Sequence, residues 1–132
     1  MHHHISNLAI LVEDYDQAIE FYTQALNFEL KANIQAEDGH RWVQLAPANS
    51  NGCHLIFNLA DNEEDRAVVG KQAGSKVLAI LETDDFWRDY KIMQEKGVTF
   101  TEAPREEEYG TVVIFKDLYG NKWDLIETKV EA

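Results

Sequence analysis

His54 and Asp124 are the side chains whose setting points most directly to chemistry. His54 lies between Cys53 and Leu55 in an apolar segment. An imidazole there either satisfies its ring nitrogens within the fold or meets a ligand and moves protons. Asp124 lies between Trp123 and Leu125, and a carboxylate in so apolar a run needs a partner. Arg105, in the run Pro104–Arg105–Glu106–Glu107–Glu108–Tyr109–Gly110, reads either as a clamp for an anionic group or as a solvated arginine among acids. Glu82 shares a strand face with Leu78 and Ile80 by alternation, and reads either as a rim ligand or as a solvated strand end. Trp42, Phe57, Tyr109 and Phe115 are aromatics on strands or strand edges. Most belong to a core, and one or two could stack on a planar ligand. Trp87 and Trp123 read as core or packing between copies, and Cys53 as a small core residue. No nucleophile, base and orienter set is visible, and no glycine-rich loop follows a strand to cradle a phosphate.

The elements that position these residues follow from periodicity. His4 to Val12 reads as a strand apolar on both faces, hence covered on both sides. Asp14 or Asp16 opens a helix that buries Ala18, Ile19, Phe21, Tyr22, Ala25 and Leu26, with Asn27 left-handed past its end. Strands follow at Phe28–Glu37, His40–Ala46 and Cys53–Leu59, with a hairpin turn at Asp38–Gly39. Pro47 and Pro104 mark strand limits. Asp61 to Gly74 is an acidic linker with one helical turn at Glu63–Val68. The pattern then restarts. Leu78–Ala79–Ile80–Leu81 repeats Leu8–Ala9–Ile10–Leu11 letter for letter, and Asp84 follows it as Asp14 follows the first. A helix over Asp85–Lys96 buries Phe86, Tyr90, Ile92 and Met93, and Gly97 closes it. Strands at Val98–Ala103, Thr111–Lys116 and Lys122–Thr128 complete the copy, with Glu106 to Glu108 as a solvated loop. The expectation is an α+β fold of tandem βαβββ modules, residues 5–60 and 75–128, joined by the linker 61–74. Their curved mixed sheets would form a cup with the helices on its convex side and a ligand in its hollow.

Composition bounds the function. The chain has 132 residues, 24 acidic side chains against 12 basic ones, and a formal net charge of −12. That balance argues against nucleic acid and against an anionic membrane surface, both of which call for clustered Lys and Arg. A single cysteine makes no intrachain disulfide, and no apolar run approaches the roughly 20 residues of a spanning helix. A cytoplasmic protein is the natural expectation. His2, His3 and His4 read equally as a tag remnant or a native run, and are left out of the site.

Four motifs resemble the vicinal oxygen chelate superfamily of glyoxalase I, bleomycin-resistance and fosfomycin-resistance proteins and extradiol dioxygenases. ISNLAILVEDYDQAIEFY (Ile5 to Tyr22) is similar to its first strand and helix, and Asn27–Phe28–Glu29–Leu30 to the helix exit. DDFWRDYKIMQEKGV (Asp84 to Val98) is similar to its second helix, and FKDLYGNKWDLIE (Phe115 to Glu127) to its terminal hairpin. The resemblance implies a ligand cavity touching Asn7, Trp42, His54, Leu78, Glu82, Arg105 and Asp124, and a homodimer. The superfamily's divalent metal, such as zinc or nickel, would fall to Asn7, His54, Leu78 and Asp124. Only His54 and Asp124 are good ligands, with Glu82 a conceivable third, so the expectation is no cofactor. By the same alignment His54 and Asp124 would pair, the carboxylate orienting an imidazole base. The favoured reading is a binding protein of the bleomycin-resistance type. The rival is a glyoxalase I-like lyase or isomerase (lactoylglutathione lyase type) acting on a small metabolite with a divalent metal.

Overall fold

The computed structural model describes residues 1–129. Among them the order is β1 (Asn7–Val12), α1 (Tyr15–Gln24), β2 (Phe28–Gln35), β3 (Arg41–Pro47), β4 (His54–Leu59), α2 (Glu63–Val68), β5 (Val77–Glu82), α3 (Phe86–Glu95), β6 (Thr99–Phe100), β7 (Arg105–Glu107), β8 (Gly110–Lys116) and β9 (Lys122–Thr128). The fold is α+β, and the chain divides into two units between Val69 and Gly70. Each unit holds one mixed sheet, ordered β1-β4-β3-β2 in the first and β5-β9-β8-β6 in the second. The two orders are the same βαβββ topology. In each, the strand before the helix lies parallel to the last strand, and the other pairings are antiparallel.

In the first unit, Asp14 caps α1 by accepting from the Gln17 N–H at 2.9 Å. The helix presents Ala18 and Tyr22 to the sheet, and the Tyr22 ring meets Phe28 and Phe57 edge-on at 5.3 and 5.2 Å. Ile19 and Phe21 are only half-buried. Ile10, Val12, Val43, Leu45 and Phe57 fill the rest of this core. Asn27 has φ 58°, the left-handed turn out of the helix. The expectation that β1 is covered on both sides does not hold, since Leu8 is 49% exposed and Ala9 is exposed too. β1 lies at a sheet edge and α1 covers one face only, so continuous apolarity did not mean double burial here.

In the second unit, Asp85 caps α3 through the Arg88 N–H, while Asp84 pairs with the Arg88 guanidinium at 2.8 Å. The Glu127 carboxylate on β9 takes the Phe86 N–H at 2.8 Å and ties the helix start to the sheet. Phe86 and Met93 pack beside Val113, Phe115, Trp123 and Leu125. Ile92, expected inside, is 43% exposed. β6 is shorter than expected, and the acidic stretch expected to be loop instead forms β7 on the free edge of β8. Its charges suit an edge strand, and Glu106 accepts from the Thr111 hydroxyl at 2.9 Å. Among the described residues no helix is long and apolar enough to cross a membrane.

The letter-for-letter repeat is out of phase with the structure. The helix caps are Asp14 and Asp85, and the core-facing Ile10 corresponds to Leu81 rather than Ile80. A one-residue offset turns every strand side chain to the opposite face. Ile10 is accordingly 2% exposed and Ile80 67%.

Candidate functional site

In each sheet one face packs on its helix, and register identifies the side chains on the other. In the first unit Asn7 pairs with His54, Ala9 with Ile56, and Gln44 with Ile56 from the other side. These residues alternate with the core residues Ile10, Phe57 and Val43, so they share the face turned away from α1. Gln44 donates from Nε2 to the Asn7 Oδ1 at 2.9 Å, a bridge spanning β4 beside His54. Asn7 in turn donates to the Ser6 hydroxyl at 3.1 Å. The Asn7 oxygen is thus committed to Gln44. His54 is half-buried, and among the described residues its imidazole makes no hydrogen bond. Trp42, paired with Ile34 toward the end of this face, is 47% exposed, and core burial does not account for it.

In the second unit Asp124 sits between Ile80 on β5 and Ile114 on β8. The next row of the same face holds Glu82, Ile126, Val112 and Arg105. Asp124 is half-buried, and among the described residues its carboxylate accepts no hydrogen bond. Burial on this apolar floor pushes its carboxyl above the usual range; the Arg105 charge pulls it back and the Glu102 charge adds to the rise.

Arg105 is already engaged. Its Nε reaches both oxygens of Glu102 at 3.0 and 3.1 Å, and its Nη1 donates to Glu107 at 2.8 Å. These bonds hold the guanidinium well above its ordinary pKa. An arginine saturated by two carboxylates offers little to an anionic ligand, so the anion-clamp reading does not survive. Glu82 accepts from the Thr128 hydroxyl at 2.8 Å, further along β9 than Asp124 and away from it. Leu78 lies at a register shift in β5, and the structure sets Ile80, not Leu78, beside Asp124.

The donors present do not fit a catalytic divalent metal, which wants at least three protein ligands and an open position. Asn7 is committed to Gln44, Glu82 to Thr128, and Leu78 carries no donor. Among the described residues no group of three His, Cys, Asp or Glu side chains is placed to hold one. Residue spacing alone missed Gln44, Ile80, Ile114 and Glu102. Gln44 had a signal, being the polar residue between Val43 and Leu45, while Ile80 was masked by the repeated tetrapeptide.

Paired βαβββ units with one helix-free sheet face each define a small-molecule-binding class of fold rather than one reaction. The chain belongs to the Glyoxalase/Bleomycin resistance protein/Dioxygenase superfamily, whose model matches residues 3–125. An uncharacterized protein of Shewanella frigidimarina (strain NCIMB 400) is 48% identical over 124 residues, covering 93% of this chain and 92% of its own. Among solved structures, UcmS2 is 25% identical with a TM-score of 0.83, covering 96% of this chain and 98% of that one. TnmS3, an antibiotic binding protein from Streptomyces sp. CB03234, is 27% identical with a TM-score of 0.78, covering 96% and 97%.

Proposed function

We propose that this protein binds a small organic molecule against the helix-free sheet faces, as a homodimer and without a complete catalytic metal site. The observation that carries the reading is the state of His54 and Asp124. Each is half-buried among apolar neighbours, and neither side chain is hydrogen-bonded by the described residues. A polar group left this way loses water without gaining a partner, and a bound molecule would restore the balance. Gln44, Trp42 and Ile80 would add polar and flat apolar contacts beside them. The similarity to an antibiotic binding protein over nearly the whole chain supports a sequestering role. By the same reading, a His54–Asp124 pairing is completed in the bound state.

The test uses protein lacking His2 to His4, because those imidazoles would bind nickel on their own. Equilibrium dialysis against a panel of aromatic antibiotics should find a stoichiometric ligand whose affinity falls at least about tenfold in both His54→Ala and Asp124→Asn, as lost anchor contacts do. The same preparation is assayed for methylglyoxal–glutathione isomerisation with added nickel or zinc. Turnover abolished by His54→Ala, with stoichiometric metal, would replace the binding reading by the glyoxalase one.

A further inference from the structure

The helix-free face of the second unit is unevenly furnished for a ligand. Its floor is aliphatic: Ile80 is 67% exposed, and Ile114 and Ile126 are half-buried. Its one basic group near Asp124 is Arg105, whose donors are taken by Glu102 and Glu107. Those two carboxylates more than cancel the guanidinium, and Asp124 adds a further negative charge with no donor of its own. A flat apolar surface holding one unsatisfied carboxylate and no free cation complements a ligand with the opposite pattern.

We infer that the ligand of this face is a flat apolar molecule bearing a basic nitrogen, seated on Ile80 and Ile114 with its ammonium or amidinium group on Asp124. The inference rests on the small-molecule-binding reading and narrows it from any organic molecule to an organic cation. An ammonium supplies donors as well as charge, so it meets both deficits of Asp124 at once. An anionic ligand would face three carboxylates across a neutralised arginine.

Three flat fluorescent probes test this at low salt: proflavine as the cation, anilinonaphthalene sulfonate as the anion and Nile red as the neutral control. Proflavine should bind at least about tenfold more tightly than the anion, as a desolvated charge pair warrants. Asp124→Asn should erase that preference and leave Nile red unchanged. Ile80→Ser should weaken proflavine and Nile red alike. Glu63→Gln with Glu64→Gln, on the exposed helix α2, removes more charge and should leave the preference intact. Loss of the preference in that double variant would mean that net charge alone selects cations, and the inference falls. Nile red binding without preference for proflavine leaves the small-molecule reading standing and overturns the cation. Failure of all three probes overturns both. If Ile80→Ser dissociates a dimer while binding of every probe is unchanged, the face is a contact between copies and the assignment is wrong.

Discussion

Asp117 carries more of the fold than its place in a turn suggests. It is 6% exposed, and its Oδ1 accepts the Tyr119 and Asn121 N–H groups at 3.0 and 2.9 Å. Its Oδ2 takes the Asn121 side-chain amide at 2.9 Å. Asp117→Ala strands these donors, and a buried donor left unmade costs about 1–3 kcal/mol. Urea denaturation should show a loss of roughly 2–4 kcal/mol, and Asp117→Asn, which keeps Oδ1, should lose about half as much. Asp124 behaves in the opposite sense. Its carboxyl is held above the ordinary range by burial, so folding favours its protonated form. Its contribution to stability is fully present below the unfolded carboxyl value and is lost as pH rises through the higher folded value. Asp124→Asn removes that dependence. Melting temperatures should therefore place the variant above the parent at pH 7, with the difference vanishing toward pH 4. A variant that melts lower at pH 7 would mean that Asp124 has a favourable partner when ionised.

The elements were legible where a cap or a turn spelled them out. Asp14 and Asp85 accept from the third residue onward in their helices, and Asn27 and Gly97 leave those helices with positive φ. Asp14→Ala and Asp85→Ala should each cost about 1 kcal/mol, the usual worth of an N-cap, read as a shift in urea midpoint at unchanged slope. Strand phase was harder to read. The tetrapeptide shared by β1 and β5 is nearly apolar throughout, so it carries no alternation to reveal which residues face inward. β7 was hidden for the converse reason: its residues are charged, and only the free edge of β8 makes them a strand. Gly70 was equally silent in the linker. Its φ is 77°, and a Cβ there would overlap the Tyr119 carbonyl. Gly70→Ala should therefore cost about 1–3 kcal/mol through backbone strain, with the collision adding to it. A neutral effect would show that this turn rearranges freely.

At the scale of the whole molecule, duplication explains why the family was readable while the site was not. Both units keep the strand order, the helix cap and the positive-φ exit, and these are backbone requirements written as residue types. The open faces obey no such rule. Their chemistry depends on which strand neighbours a residue across the sheet, as with Gln44 reaching Asn7 or Glu82 reaching Thr128. Net charge is the other property of the whole chain. With a formal charge of −12, many carboxylates have no cation to meet, and their mutual repulsion opposes the compact state. The ion pairs that do form, such as Lys31–Glu29 and Arg88–Asp84, are exposed, and such pairs contribute about 0–1 kcal/mol. Salt weakens both effects as the screening length falls from about 30 Å at 0.01 M to about 8 Å at 0.15 M. Repulsion acts over the longer distances and so loses more of its strength than contact pairs do. The melting temperature at pH 7 should therefore rise by a few degrees between those two salt concentrations. At pH 4.7, near the isoelectric point, the rise should disappear. A fall in melting temperature with salt at pH 7 would show that the contact pairs, not the excess of acid, dominate the electrostatics of this fold.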